Sequence, residues 1–174
     1  LAMMGDVLSV AHEVRLDRIL WEGGRRAEAE RMLPRVSPTW KALALARMAL
    51  QADSSKAVAL VDAVPQVALA DAGLAYDRFN YRMRADRYDD AAALILERSK
   101  SAASLGDPAA WSKRRADLAR ILLRQGQPKL AFRVAASHQM TEGDSYVDLE
   151  FLAGFDAQAV GFKEIKAFRH LKGV

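Results

Sequence analysis

Asp107-Pro-Ala-Ala-Trp111-Ser-Lys-Arg-Arg115-Ala-Asp-Leu-Ala-Arg120-Ile-Leu-Leu-Arg-Gln-Gly126-Gln-Pro128 carries the punctuation of a helical hairpin. Aspartate followed by proline is an N-cap with proline at the first helical position, where a missing N–H costs nothing. The helix this opens runs to Arg124. Gly126-Gln127-Pro128 then turns the chain into a second helix that ends near His138. The same pattern recurs on both sides. Upstream, Leu16, Ile19 and Leu20 follow helical spacing from Val14, Gly23-Gly24 stops that helix, and a return helix over residues 25–33 closes at Pro34. Residues 39–52 form the next helix, with Leu43, Ala46 and Leu50 on one stripe. Asp53-Ser54-Ser55 supplies its turn, and residues 56–64 return before Pro65. A third pair spans residues 74–85 and 88–99, joined at Asp86-Arg87, with Ala91, Leu94 and Ile95 facing inward. A fifth begins near Asp144, runs to about Gly161 and continues over residues 162–171, where it stops unfinished.

The return-helix anchors Ala29, Ala57, Ala91, Ala131 and Ile165 are 28, 34, 40 and 34 residues apart. Periods of this size mark stacked helical hairpins, because one hairpin cannot bury its apolar face alone. The expected fold is therefore all-α: an α/α superhelix of about five antiparallel hairpins, TPR-like, forming one domain over residues 1–174. No convincing strand is found.

Composition narrows the function. The chain has 174 residues, 51% of them hydrophobic and 7% aromatic, with 26 Lys+Arg against 22 Asp+Glu and no cysteine. Thiol catalysis, disulfides, iron–sulfur clusters and Cys-built zinc sites are excluded. No apolar run reaches the roughly 18–20 residues of a membrane span. The opening Leu1-Ala-Met-Met-Gly-Asp6 lacks the basic region of an intact secretory signal. His12-Glu13 has no second histidine a turn away, and His12, His138 and His170 form no metal pattern. Phosphate-cradling glycine loops and the Gly-x-Ser-x-Gly elbow are missing, so no cofactor and no catalytic constellation is assigned. Trp21, Trp40 and Trp111 fall at helix ends, where large rings seal joins between hairpins.

Charge is uneven along the chain. Residues 77–134 hold 13 Lys+Arg against 7 Asp+Glu, more positive than the chain as a whole. Arg114, Arg115, Arg120 and Arg124 concentrate this charge on one helix. They read either as a solvated face paired with Asp107, Asp117 or a neighbouring hairpin, or as a docking face for carboxylates or phosphates of a polymeric ligand. No recognition motif for nucleic acid accompanies them.

Several segments together resemble the α-superhelical region of the soluble lytic murein transglycosylases of Gram-negative bacteria. Arg15-Leu-Asp17-Arg-Ile-Leu20-Trp21-Glu-Gly23 is similar to that family's Arg-Leu-Asp-x-Leu-Leu-Trp-x-Gly hairpin. Gly73-Leu-Ala-Tyr76-Asp-Arg78, with Arg82, Arg84 and Tyr88-Asp-Asp-Ala91-Ala92, is similar to its Gly-Leu-Ala-Tyr-x-Arg … Tyr-x-x-Ala-Ala hairpin. Trp111-Ser-Lys-Arg114-Arg115 … Leu118-Ala119-Arg120 … Gly126 … Ala131-Phe132 … His138 is the strongest match. Glu150-Phe-Leu-Ala-Gly154 follows it, with Phe155 where the family has Trp.

The resemblance implies a periplasmic protein that cleaves the MurNAc–GlcNAc bond of peptidoglycan without water, leaving 1,6-anhydro ends. In the family, that chemistry belongs to a C-terminal domain with a Glu-Ser pair and a Gly-Leu-Met-Gln segment. Every glutamate here is followed by an apolar residue, an arginine or a glycine, so no catalytic residue carries over. What is implied for this chain is a non-catalytic scaffold. Its partners would be peptidoglycan glycan strands and the catalytic domain of the same polypeptide, with Arg114, Arg115, Arg120 and Arg124 as the basic substrate-binding face. A stand-alone TPR-like protein-binding module is the alternative.

Overall fold

A computed structural model describes the backbone of residues 2–160 and the side chains of residues 8–154. Among the described residues the fold is all-α: ten α-helices and two short 3-10 turns, with no strand. The predicted helix over residues 162–171 and the anchor Ile165 lie outside them. Contacts divide the chain into two compact units, residues 1–81 and 82–174.

The first unit comprises α1 (Ala2–Glu22), α2 (Arg26–Met32), a 3-10 turn (Leu33–Arg35), α3 (Pro38–Gln51), α4 (Ala57–Asp62), a second 3-10 turn (Gln66–Ala68) and most of α5 (Ala72–Arg84). Helix α3 is buried on two sides. Ala44 and Met48 pack with Leu16, Ile19 and Leu20 of α1 and Ala29 and Met32 of α2. Leu43, Ala46, Ala49 and Leu50 pack instead with Ala57, Val64 and Leu74. A helix whose apolar residues run almost all the way round is one with neighbours on both faces.

The second unit takes in the last turn of α5 with α6 (Tyr88–Arg98), α7 (Ala102–Leu105), α8 (Pro108–Arg124), α9 (Pro128–Ala136) and α10 (Asp144–Val160). Here α8 packs on α9, α6 packs on both of them, and α10 packs on α8 and α9. The Asp107 cap forms as predicted: its carboxylate accepts from the N–H groups of Ala109 and Ala110. Helix α7, four residues capped by Ser101, is an addition that the sequence does not announce.

The hairpin turns repeat. Helices α3, α5 and α8 each end with a residue in the left-handed conformation, namely Asp53, Asp86 and Gly126. In each case the next residue's N–H reaches back five positions: Ser54 to Ala49, Arg87 to Arg82, and Gln127 to Leu122. This is the Schellman stop, which satisfies the last helical carbonyls while reversing the chain. Gly23, also left-handed, ends α1, so the four turns stand 30, 33 and 40 residues apart. Behind each turn a return-helix alanine is shut away: Ala29, Ala57, Ala91 and Ala131 are all 1% exposed or less.

Candidate functional site

Helix α8 has two unlike stripes. Trp111, Arg115, Leu118 and Leu122 form the buried one. Arg114, Asp117, Ile121 and Arg124, with Arg120 beside them, form the other. This second stripe faces an open cavity of about 400 Å³ whose far side is Met83, Arg84, Asp86 and Tyr88.

Three of the four arginines expected on a basic face therefore line one cleft, and Arg115 does not. Successive helical residues are about 100° apart, so Arg114 and Arg115 cannot share a face. Arg115 is wholly buried. Its guanidinium donates to the Val134 carbonyl at 2.7 Å, to Ser137 Oγ at 3.1 Å and to Ser99 Oγ at 2.7 Å. Those acceptors lie at the C-terminal ends of α6 and α9, where the helix dipoles favour a cation. Burial pushes its pKa down to about 9, still high enough to leave it charged at neutral pH. Its role is internal.

The cleft arginines differ from those of the first hairpin. Arg15, Arg18, Arg25 and Arg26 each hold a glutamate carboxylate within 3.0 Å. Arg114 and Arg124 make no hydrogen bond or ion pair with a described residue, and Arg120 stands 3.9 Å from Asp117. Asp107, the other expected partner, is occupied in capping. On the opposite wall the Tyr88 hydroxyl donates to Asp86, which raises the phenol's pKa and holds the ring in place. Arg84 and Tyr88 were named in sequence only for the family resemblance and were given no binding role; their place in the cleft went unforeseen, since nothing local links the α5–α6 corner to α8.

A second polar cluster lies inside the first unit. Arg47 of α3 is fully buried, and its Nε donates to Asp77 and its Nη1 to Asp17, each at 2.7 Å. Gln51 donates to Asp77 and to the Leu20 carbonyl. Trp21 stacks on Tyr76 at 5.1 Å, and Arg47 lies 5.4 Å from the Trp21 ring. Gly73 makes room: a β-carbon there would overlap the Arg47 guanidinium. Asp17 and Asp77 both have raised pKa values, because burial outweighs the pull of Arg47. One signal for this cluster was legible, a lone arginine inside the run Ala44-Leu-Ala-Arg47-Met-Ala-Leu50.

His138 is structural as well. Its Nδ1 accepts from the Met140 N–H at 3.1 Å, so Nε2 carries the proton donated to Glu150 at 2.9 Å. No group of three His, Asp or Glu side chains suited to a metal occurs among the described residues. None of their helices is long and apolar enough to cross a membrane.

The chain matches no family model, no curated protein and no solved structure.

Proposed function

We propose that this chain is a superhelical scaffold region of a periplasmic soluble lytic transglycosylase, the class of enzyme that cleaves the MurNAc–GlcNAc bond of peptidoglycan to 1,6-anhydro products. The observation that supports this most is the company Arg47 keeps. Asp17 and Trp21 come from one segment that resembles the family, and Gly73, Tyr76 and Asp77 from another. Residues that give two separate motifs their character thus join neighbouring hairpins at one polar junction. Repeated left-handed turns and buried alanine anchors are what a stack of such hairpins requires.

On this reading the chain performs no bond cleavage. Its helices supply a rigid frame for a catalytic domain, and Arg114, Arg120 and Arg124 offer guanidinium groups to the anionic substituents of a bound strand. A second reading, a free-standing helical-repeat module that binds protein segments, is favoured by the same cleft, where Asp117 breaks up the run of positive charge.

Co-sedimentation with purified murein sacculi tests the first reading. The chain is expected to pellet with sacculi at low salt and to be released as salt shortens the Debye length from about 10 Å toward 3 Å. Substituting Arg114, Arg120 and Arg124 together by Gln is expected to weaken that binding. Absence of binding at every salt concentration removes the glycan contact. The reading frame beyond Val174 decides the rest: a Glu-Ser and Gly-Leu-Met-Gln domain is expected, and an early stop codon hands the chain to the second reading.

A further inference from the structure

The cleft between α8 and the α5–α6 corner has a geometry that says what kind of ligand it takes. Arg114 to Arg124 spans ten residues, or about 15 Å of helix axis, with Arg120 about 9 Å along from Arg114 and about 6 Å before Arg124. A single small anion cannot meet all three. A ligand that engages the row is a chain with negative groups at intervals. In an extended peptide, alternate side chains project from the same side at about 6.5–7 Å, a spacing that long arginine side chains can follow along this row.

The rest of the lining points the same way. Asp117 lies between Arg114 and Arg120 on the same wall, and Asp86 lies opposite. With four arginines and two aspartates, the cleft is positive but interrupted. A polymer charged at every unit is repelled at each aspartate, whereas a peptide backbone offers an N–H for a carboxylate to accept. Met83 and Ile121 provide apolar floor, and the held Tyr88 ring provides a flat wall suited to side-chain stems. Arg114 and Arg124 have no ion pair with a described residue to give up, and Arg120 has only its long contact with Asp117.

We propose that this cleft is a docking groove for an extended acidic peptide segment of a partner protein, with Arg114, Arg120 and Arg124 reading alternate carboxylates. The inference does not rest on the murein reading, since it follows from the spacing and sign of the lining alone.

Fluorescence anisotropy on the whole chain tests it, with a labelled Glu-Thr-Glu-Thr-Glu-Thr-Glu peptide and its counterpart carrying Gln for every Glu. Saturable binding of the acidic peptide at low salt is expected, without binding of the Gln peptide. At about 1.4- to five-fold per exposed pair, the combined Arg114→Gln, Arg120→Gln, Arg124→Gln variant loses roughly three-fold or more in affinity. A variant with the same loss of charge elsewhere, Lys41→Gln, Lys56→Gln, Lys100→Gln, is expected to bind within two-fold of the parent. Circular dichroism on both variants, and the single Arg114→Gln and Arg124→Gln chains, separate a binding defect from misfolding. Failure of the acidic peptide to bind, or equal losses in the two triple variants, overturns the proposal. So does tighter binding of a single-stranded oligonucleotide of equal charge. Sacculus binding without peptide binding overturns it while leaving the murein reading in place; peptide binding without sacculus binding supports it and removes the glycan contact.

Discussion

Arg47 and Arg115 are both buried guanidinium groups, yet what surrounds them makes their loss unequal. Arg47 answers two carboxylates, one of them 3% exposed. Arg47→Met strands Asp77 in the interior and is expected to cost about 3–5 kcal/mol. Arg115 answers neutral oxygens, and its two serine partners already donate to Ile95 and Arg133 carbonyls. Arg115→Met forfeits chiefly the favourable position at two helix ends, about 0.3–2 kcal/mol. Urea titration of both variants checks the order, and an Arg115→Met loss equal to that of Arg47→Met contradicts it. Gly73→Ala is expected to cost about 1–3 kcal/mol by overpacking against Arg47, which its two aspartates prevent from moving aside.

The same junction sets a pH dependence. Because burial raises the Asp17 and Asp77 pKa values, the folded state holds these protons more tightly than the unfolded chain. Their contribution to stability therefore rises as pH falls through the raised values, and levels off below the ordinary 3.8. Carboxyl-carbon NMR titration is expected to give midpoints above 3.8 for both. Midpoints below that value would mean that Arg47 outweighs desolvation.

At the scale of the element, the left-handed turns explain how much of the architecture was legible. Gly126, Gly23 and the Asp107-Pro108 cap act on their immediate neighbours, so sequence alone marks those helix ends to within a residue or two. Gly126→Ala, placing a β-carbon at φ +75°, is expected to lower stability by about 1–2 kcal/mol, read from the shift in thermal midpoint. Helix α2 stops at Met32, as the break expected at Pro34 requires, and Pro34 itself falls within the 3-10 turn Leu33–Arg35 that follows, whose first turn tolerates its missing N–H. Helix α7 escaped because four residues carry no periodicity. The basic row on α8 was legible in part: Arg114, Arg120 and Arg124 fall on the exposed side. Arg115 was grouped with them by adjacency in sequence, whereas helical phase sends it inward. Arg84 and Tyr88 were beyond reach, because they join the cleft through tertiary packing of a different helix.

For the molecule as a whole, the stacked arrangement proposed here has a measurable size. A compact 174-residue domain has a radius of gyration of roughly 16 Å, and a solenoid of hairpins is expected to exceed it in small-angle scattering. A value at or below that figure argues against the superhelix. The division at residues 81 and 82 adds a question that scattering does not answer, namely whether the two units unfold together. The indole rings provide the means. Trp21 and Trp40 belong to the first unit, while Trp111, with no exposed surface and its Nε1 donating to the Leu105 carbonyl, belongs to the second. With Trp21 and Trp40 replaced by Phe, the remaining emission is a private gauge of the second unit, red-shifting only when that core opens to water. The chain thus carries a built-in optical thermometer for half of itself.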